Sequence, residues 1–253
     1  MRKRLLTAGA MAGLCSTAAM AAPMPLITIP PSCAAGGLSA ADHATFKAQL
    51  AAAVKKAGNG GLGFNGWATI VARDGTVCAV AFSGSSRVDQ WLASRVISAQ
   101  KAATANSLSL GAVSGASSKG KLALSTASLY SAVQPGGSLY GLSDSNPVAA
   151  AGAYGDRIDA ATGAYIGPSS TATYGTAADP MVGQVIGGIN VFGGGLALYD
   201  GSKRVGGVGV SGDTSCTDHM VAWHLRHGLA LDLLKTEGIS GPAALFTPDT
   251  THP

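Results

Sequence analysis

The chain reads as an α+β protein, an antiparallel sheet packed with helices, and three observations predict it. Apolar residues recur at helical spacing near residues 40–57, from 88 and from 216. An Asp74-Gly75 pair sits between two strand-like runs, where a tight hairpin turn needs it. The resulting order is helix, hairpin, helices, three strands and a final helix, which suits one antiparallel sheet with helices laid against it.

The first 21 residues read as a signal peptide. Arg2, Lys3 and Arg4 form a basic start, and residues 5–19 are apolar but too short to span a bilayer. Ala19-Met20-Ala21 supplies a small-x-small cleavage pattern, so the exported chain is expected to begin at Ala22. A lipoprotein anchored at Cys15 is the rival reading, but Leu14 stands where such a signal takes a small residue. Residues 22–38 are proline-rich and read as an extended lead-in. Residues 40–57 follow as a helix with Phe46, Leu50 and Val54 on one stripe, stopped by Asn59-Gly60-Gly61.

Residues 67–73 and 76–82 make the hairpin. A second helix is expected at 88–107, where Trp91, Leu92, Val96 and Ala99 recur near helical period, and a third at 122–133, ended by Gln134-Pro135-Gly136-Gly137. Residues 141–179 are mostly Gly, Ala, Ser, Thr and Tyr with weak periodicity. A structureless stretch that long is unusual in a compact domain, so it reads as an insertion folded over the surface of one domain spanning 39–235. Its role as lid, interface arm or loop stays open. Strands are expected at 186–192, 196–200 and 204–210, a helix at 216–235, and a tail at 236–253.

Composition excludes some classes of function. Three of the charges behind the formal +4 lie in the signal peptide, which leaves +1 for the mature chain. No Lys/Arg cluster remains to neutralise a run of phosphates, so nucleic acid is not an expected partner. No later stretch has the roughly 18 consecutive apolar residues of a membrane helix. A periplasmic or secreted location follows, without membrane attachment once the signal is removed. Cys33, Cys78 and Cys216 then meet an oxidising compartment, where three cysteines allow one bridge and one leftover thiol. Their spacing is not that of a metal site.

Gly207-x-Gly209-x-x-Gly212 has the letters of a dinucleotide fingerprint. However, Gly207 and Gly209 fall inside an expected strand, where small residues let another backbone come close. No catalytic set stands out, since no serine lies in a G-x-S-x-G elbow and no cysteine–histidine pairing has local support.

Two blocks carry a family resemblance. The first runs from Gly187 to Gly201 and on through residues 204–227 (RVGGVGVSGDTSCTDHMVAWHLRH); the second is SRVISAQKAATA at residues 94–105. Together they resemble the GlcG/HbpS-like family, the "haem-degrading" domain whose members include secreted haem-binding proteins. The resemblance covers roughly residues 39–234 without the insertion. It implies a profilin-like five-stranded antiparallel sheet packed with helices, and haem or a related tetrapyrrole as the ligand. It also implies homo-oligomeric assembly. In a profilin-like layout the start of the first helix lies near the hairpin turn that precedes Cys78, which implies a Cys33–Cys78 disulfide.

On that resemblance, the candidate ligand-binding residues are Lys101, Thr104, His219 and His224. Lys101 lies among small helix residues, so it either reaches a pocket rim to meet a propionate or another carboxylate, or lies along the helix with its ammonium in water. Thr104 falls on the same helix face. Neutral imidazole is a common iron ligand, which brings in His43, His219, His224 and His227, while His252 lies in the tail. Asp218 reads either as an acid/base group or as the partner of Ser215 in a capping box. On the last helix, Met220, Trp223 and His227 fall opposite the core arc, a face that suggests a subunit interface or a ligand. The reading is therefore a non-catalytic, exported haem- or tetrapyrrole-binding protein. Its alternatives are an enzyme on a small metabolite or tetrapyrrole, using Lys101 or Asp218, and an oligomeric module without a small ligand.

Overall fold

The computed structural model describes residues 30–38, 43–109, 124–154, 157–158, 162, 165–167, 171–200 and 203–232. The signal peptide, most of the lead-in and the tail from 236 lie outside these residues. In chain order the elements are α1 (Pro31–Ala35), α2 (His43–Val54), β1 (Trp67–Ala72), β2 (Val77–Phe82), α3 (Ser94–Leu108) and α4 (Ala150–Tyr154). They continue with β3 (Arg157–Ile158), β4 (Tyr165–Gly167), β5 (Gly195–Asp200), β6 (Lys203–Ser211) and α5 (Ser215–Gly228). The short α1 forms where an extended lead-in was expected. Its proline occupies the first turn, where a missing N–H costs nothing.

Four strands make one antiparallel sheet in the order β2-β1-β6-β5, and β3 pairs with β4 separately. On one face, Phe46 and Leu50 of α2 join Val221, Ala222 and Leu225 of α5. They pack over Ala68, Ile70, Leu196, Leu198, Val208 and Val210. The other face carries α3, and beside it Ala153, Met181 and Ile186 cover Trp67, Val80 and Phe82. Each large aliphatic or aromatic side chain buried this way contributes about 1.5–3 kcal/mol. A disulfide joins Cys33 of α1 to Cys78 of β2, 45 residues apart, and leaves Cys216 free and exposed. That is the pairing the profilin-like layout implied.

The glycines of β6 explain how closely α3 lies on the sheet. A Cβ at Gly207 would collide with the Ala102 carbonyl oxygen, and one at Gly209 with that of Ser98. Both residues sit within the strand and α3 packs backbone to backbone upon them, so the G-x-G-x-x-G letters here mark a packing surface.

The fifth expected strand, at 186–192, is corrected. Gly187 (φ 66°) and Gly188 (φ 84°) take left-handed conformations that end any extended run, and only isolated bridges form nearby. Hydroxyl groups hold this segment in place of a ladder. Thr104 Oγ1 accepts from Asn190 N at 2.9 Å, Ser215 Oγ from Gly193 N at 2.7 Å and Thr126 Oγ1 from Gly195 N at 2.9 Å.

Two helix expectations also shift. The chain enters α3 at Ser94, later than residue 88, because the side chains of Asp89 and Gln90 accept from Ser86 N and Gly84 N and hold turns. Where a helix was expected at 122–133, a single 3₁₀ turn forms at Thr126–Leu129. Ser125, its capping residue, also bridges to Leu196 of β5.

Candidate functional site

The two blocks that carried the resemblance meet at the β5 edge of the sheet. There α3, α5 and the segment 187–195 come together, and the Lys101 side chain crosses the end of the sheet. Its ammonium donates to Val210 O at 3.0 Å and to Asp218 Oδ2 at 2.7 Å, and the two side chains are only 2% and 5% exposed. The alternatives for Lys101 thus resolve to a carboxylate within the same chain. Burial lowers the Lys101 pKa and raises that of Asp218, each against the pull of its partner. Asp218 also accepts from Asp213 N at 2.9 Å, so its carboxylate ties the turn before α5 to α3. The helix cap falls one residue earlier than the capping-box reading: Thr214, in place of Ser215, accepts from Thr217 N.

Asp213 beside it accepts from Leu62 N and Phe64 N, each at 2.9 Å, and these bonds hold its pKa down against burial. A cavity of about 20 Å³ lies between this loop and α5, lined by Val54, Phe64, Asp213, Thr217, Asp218 and Val221 among others. It admits one water-sized molecule and is far too small for a tetrapyrrole.

The structure brings three of the four candidate residues to this edge. Thr104 is buried, donates to Gln100 O at 2.8 Å and secures Asn190 as described. His219 is half-buried at the start of α5, next to Gly193, with Nδ1 3.1 Å from Ser125 Oγ. Phe192, which precedes Gly193, and Tyr130, which ends the Thr126–Leu129 turn, form an aromatic pair with ring centroids 6.0 Å apart, 49% and 50% exposed respectively. A histidine bonded at Nδ1, with a half-exposed aromatic pair carried by the two segments that meet it, is the main ligand-like feature of the edge. Neither Ser125 nor Tyr130 was singled out from the sequence, because only folding brings Ser125 to His219 across 94 positions and Tyr130 to Phe192 across 62.

His224 lies elsewhere. It is half-buried on α5, edge-on to Trp223 at 4.8 Å, and its Nδ1 is buried without a hydrogen-bond partner. Burial lowers its pKa, with Lys56 and His227 adding to the effect. His43 has a structural place, with Nε2 2.9 Å from Val80 O and 3.0 Å from Gly175 O. Exposed His227 stacks on Trp223 and lies 2.7 Å from Asp232. Trp223 itself packs partly against the core, so the chain covers some of the outward α5 face.

Among the described residues, no group of three or more His, Cys, Asp or Glu could hold a metal ion. No helix among them is long and apolar enough to cross a membrane.

No family model and no curated protein matches the chain. Among solved structures, it is similar to the Klebsiella pneumoniae protein ORFY, described with the family model DUF336. That likeness has 22% identity, covers 76% of this chain and 88% of that one, and has a TM-score of 0.43. The chain is also similar to PduOC in a complex with haem, at 22% identity over 72% of this chain and 91% of that one, with a TM-score of 0.42. Likenesses of this strength carry nothing about ligand or chemistry to this chain.

Proposed function

We propose that this chain is an exported, non-catalytic haem- or tetrapyrrole-binding protein of the GlcG/HbpS-like family. The observation that carries the reading is the edge where Ser125 holds His219; Tyr130 ends the turn that Ser125 caps, and its ring partner Phe192 precedes Gly193, which abuts His219. The residue blocks that resemble the family supply His219 and Phe192 to this edge, while Ser125 and Tyr130 come from the 3₁₀ turn between them, and the donor set fits haem: an imidazole for iron and rings for a porphyrin face. Haem would supply the iron centre and the visible chromophore. His219 is the proposed axial residue and His224 the second candidate. Lys101 and Thr104 act from inside, by fixing α5 and residue 190, rather than by touching a propionate.

The enzyme alternative needs Lys101 or Asp218 to reach a substrate, whereas they neutralise each other inside the protein. Homo-oligomerisation through Met220, Trp223 and His227, a periplasmic or secreted location and a mature start at Ala22 belong to the same proposal. Haem titration of the mature chain tests the ligand, and a saturable Soret shift supports it. No shift, or turnover of haem or a metabolite, overturns it. Monomeric elution at micromolar concentration removes the oligomer from the proposal.

A further inference from the structure

The β5–β6 end of the sheet carries a second feature, unrelated to His219. Arg204 of β6 is only 7% exposed, yet its Nε and Nη1 are buried with no hydrogen-bond partner. Such a group is costly: a guanidinium does not shed its proton near neutral pH, and unpaired buried donors forfeit their hydration. Native structures seldom leave them without an acceptor.

A second cation stands at the end of the neighbouring strand. β1 pairs with β6 through Val71↔Gly207 and Ala72↔Gly206, so Arg73, the next residue, continues alongside Val205 and next to Arg204. The Arg73 backbone is pinned there, because Asn106 of α3 donates to its carbonyl at 3.2 Å. The acidic residue nearest in sequence is already engaged, since Asp74 accepts from Thr76 N at 3.0 Å. No acidic side chain among the described residues forms an ion pair with either arginine. Burial, and Arg73 next to it, lower the Arg204 pKa to about 10, while Tyr199, its cross-strand partner, opposes that shift. A buried cation with unused donors and an exposed second cation at the end of the neighbouring strand are an arrangement that an anion completes.

We infer that Arg204 and Arg73 form a binding site for a small oxyanion, a phosphate or carboxylate group that accepts from the buried Arg204 donors and is shared with Arg73. The site lies at the opposite end of β5 and β6 from Lys101 and Asp218, so it stands whether or not haem binds at His219.

The test is calorimetric titration of the full chain with inorganic phosphate, and separately with acetate, against sodium chloride of matched ionic strength. The expected result is saturable binding of at least one anion, weakened about tenfold or more by Arg204→Gln and by Arg73→Gln. Arg73 is exposed, so Arg73→Gln keeps the test decisive even if Arg204→Gln fails to fold. The Arg204 Nε–H resonance should also shift with phosphate in the wild type. No saturable heat beyond chloride, or binding unchanged in Arg73→Gln with no movement of the Arg204 signal, overturns the site.

Discussion

Helix α3 carries two buried ion pairs six positions apart, and they differ in what they can tolerate. Toward the insertion, Arg95 donates from Nε to Asp179 at 2.9 Å and from Nη2 to the same carboxylate. It also donates from Nη1 to Ala153 O at 2.8 Å and stacks on Tyr174. Asp179 further accepts from Gly175 N and Met181 N. Toward α5, Lys101 has only Val210 O and Asp218 to satisfy it. The guanidinium cannot neutralise itself, whereas a buried lysine can release its proton. The first pair is therefore an obligate staple that fixes the insertion onto the sheet, and the second is a joint whose charge can be relieved.

The largest expected effect tests this contrast. Asp179→Leu strands a buried guanidinium and two backbone donors, and should destabilise by about 3–5 kcal/mol. Adding Arg95→Met should recover little, because Gly175 N and Met181 N stay unpaired. Asp218→Leu should cost less, since Lys101 can become neutral, and Lys101→Met with Asp218→Leu should restore most of the loss, because the one backbone donor left behind, Asp213 N, is only part-buried, unlike Gly175 N and Met181 N. Urea unfolding of the four variants decides it, and equal recovery in both double variants would erase the distinction.

Reducing Cys33–Cys78 acts on the opposite face of the sheet. It should cost about 4 kcal/mol by chain entropy for a loop of this length. That loss should add to either pair's, since the sites share no partner. A Gly209→Ala change, by contrast, would lift α3 and strain both joints. It should cost about 1–3 kcal/mol, measured as a fall in the urea midpoint.

The smallest effect is in pH. The Asp218 pKa is raised in the folded state, so its contribution to stability is full below 3.8 and is lost as pH rises through the raised value. The Lys101 pKa is lowered, so its contribution is full above 10.5 and is lost as pH falls through the lowered value. Relative to the Lys101→Met/Asp218→Leu variant, the wild type should be least stable between those windows. Thermal melts from acid to alkaline pH would show a trough, and a flat difference would contradict it.

Local chemistry made part of this legible in the sequence. The Asp74-Gly75 hairpin, the start of α5 and the strand placement of Gly207 and Gly209 all rest on residues a few positions apart. The disulfide followed from the implied layout, since only that layout brings Cys33 to Cys78. What escaped was long-range. Arg95 and Asp179 lie 84 positions apart with no local pattern to join them. The strand expected at 186–192 has a strand's apolar residues, but adjacent left-handed glycines and three distant hydroxyls set its path instead. The candidate site divided in the same way. Its blocks were visible as sequence, whereas the burial of Lys101 and the pairing of Ser125 with His219 exist only once the layers meet.

In the proposed function, haem is held by His219 at the β5 edge while Lys101 secures that edge from within. The most direct measurement is the visible spectrum of the haem-loaded mature chain for wild type, His219→Ala and His224→Ala. Haem held by His219 predicts that His219→Ala alters the Soret band through loss of iron coordination, and that His224→Ala leaves it unchanged. An unchanged band in His219→Ala, or a change confined to His224→Ala, would contradict it.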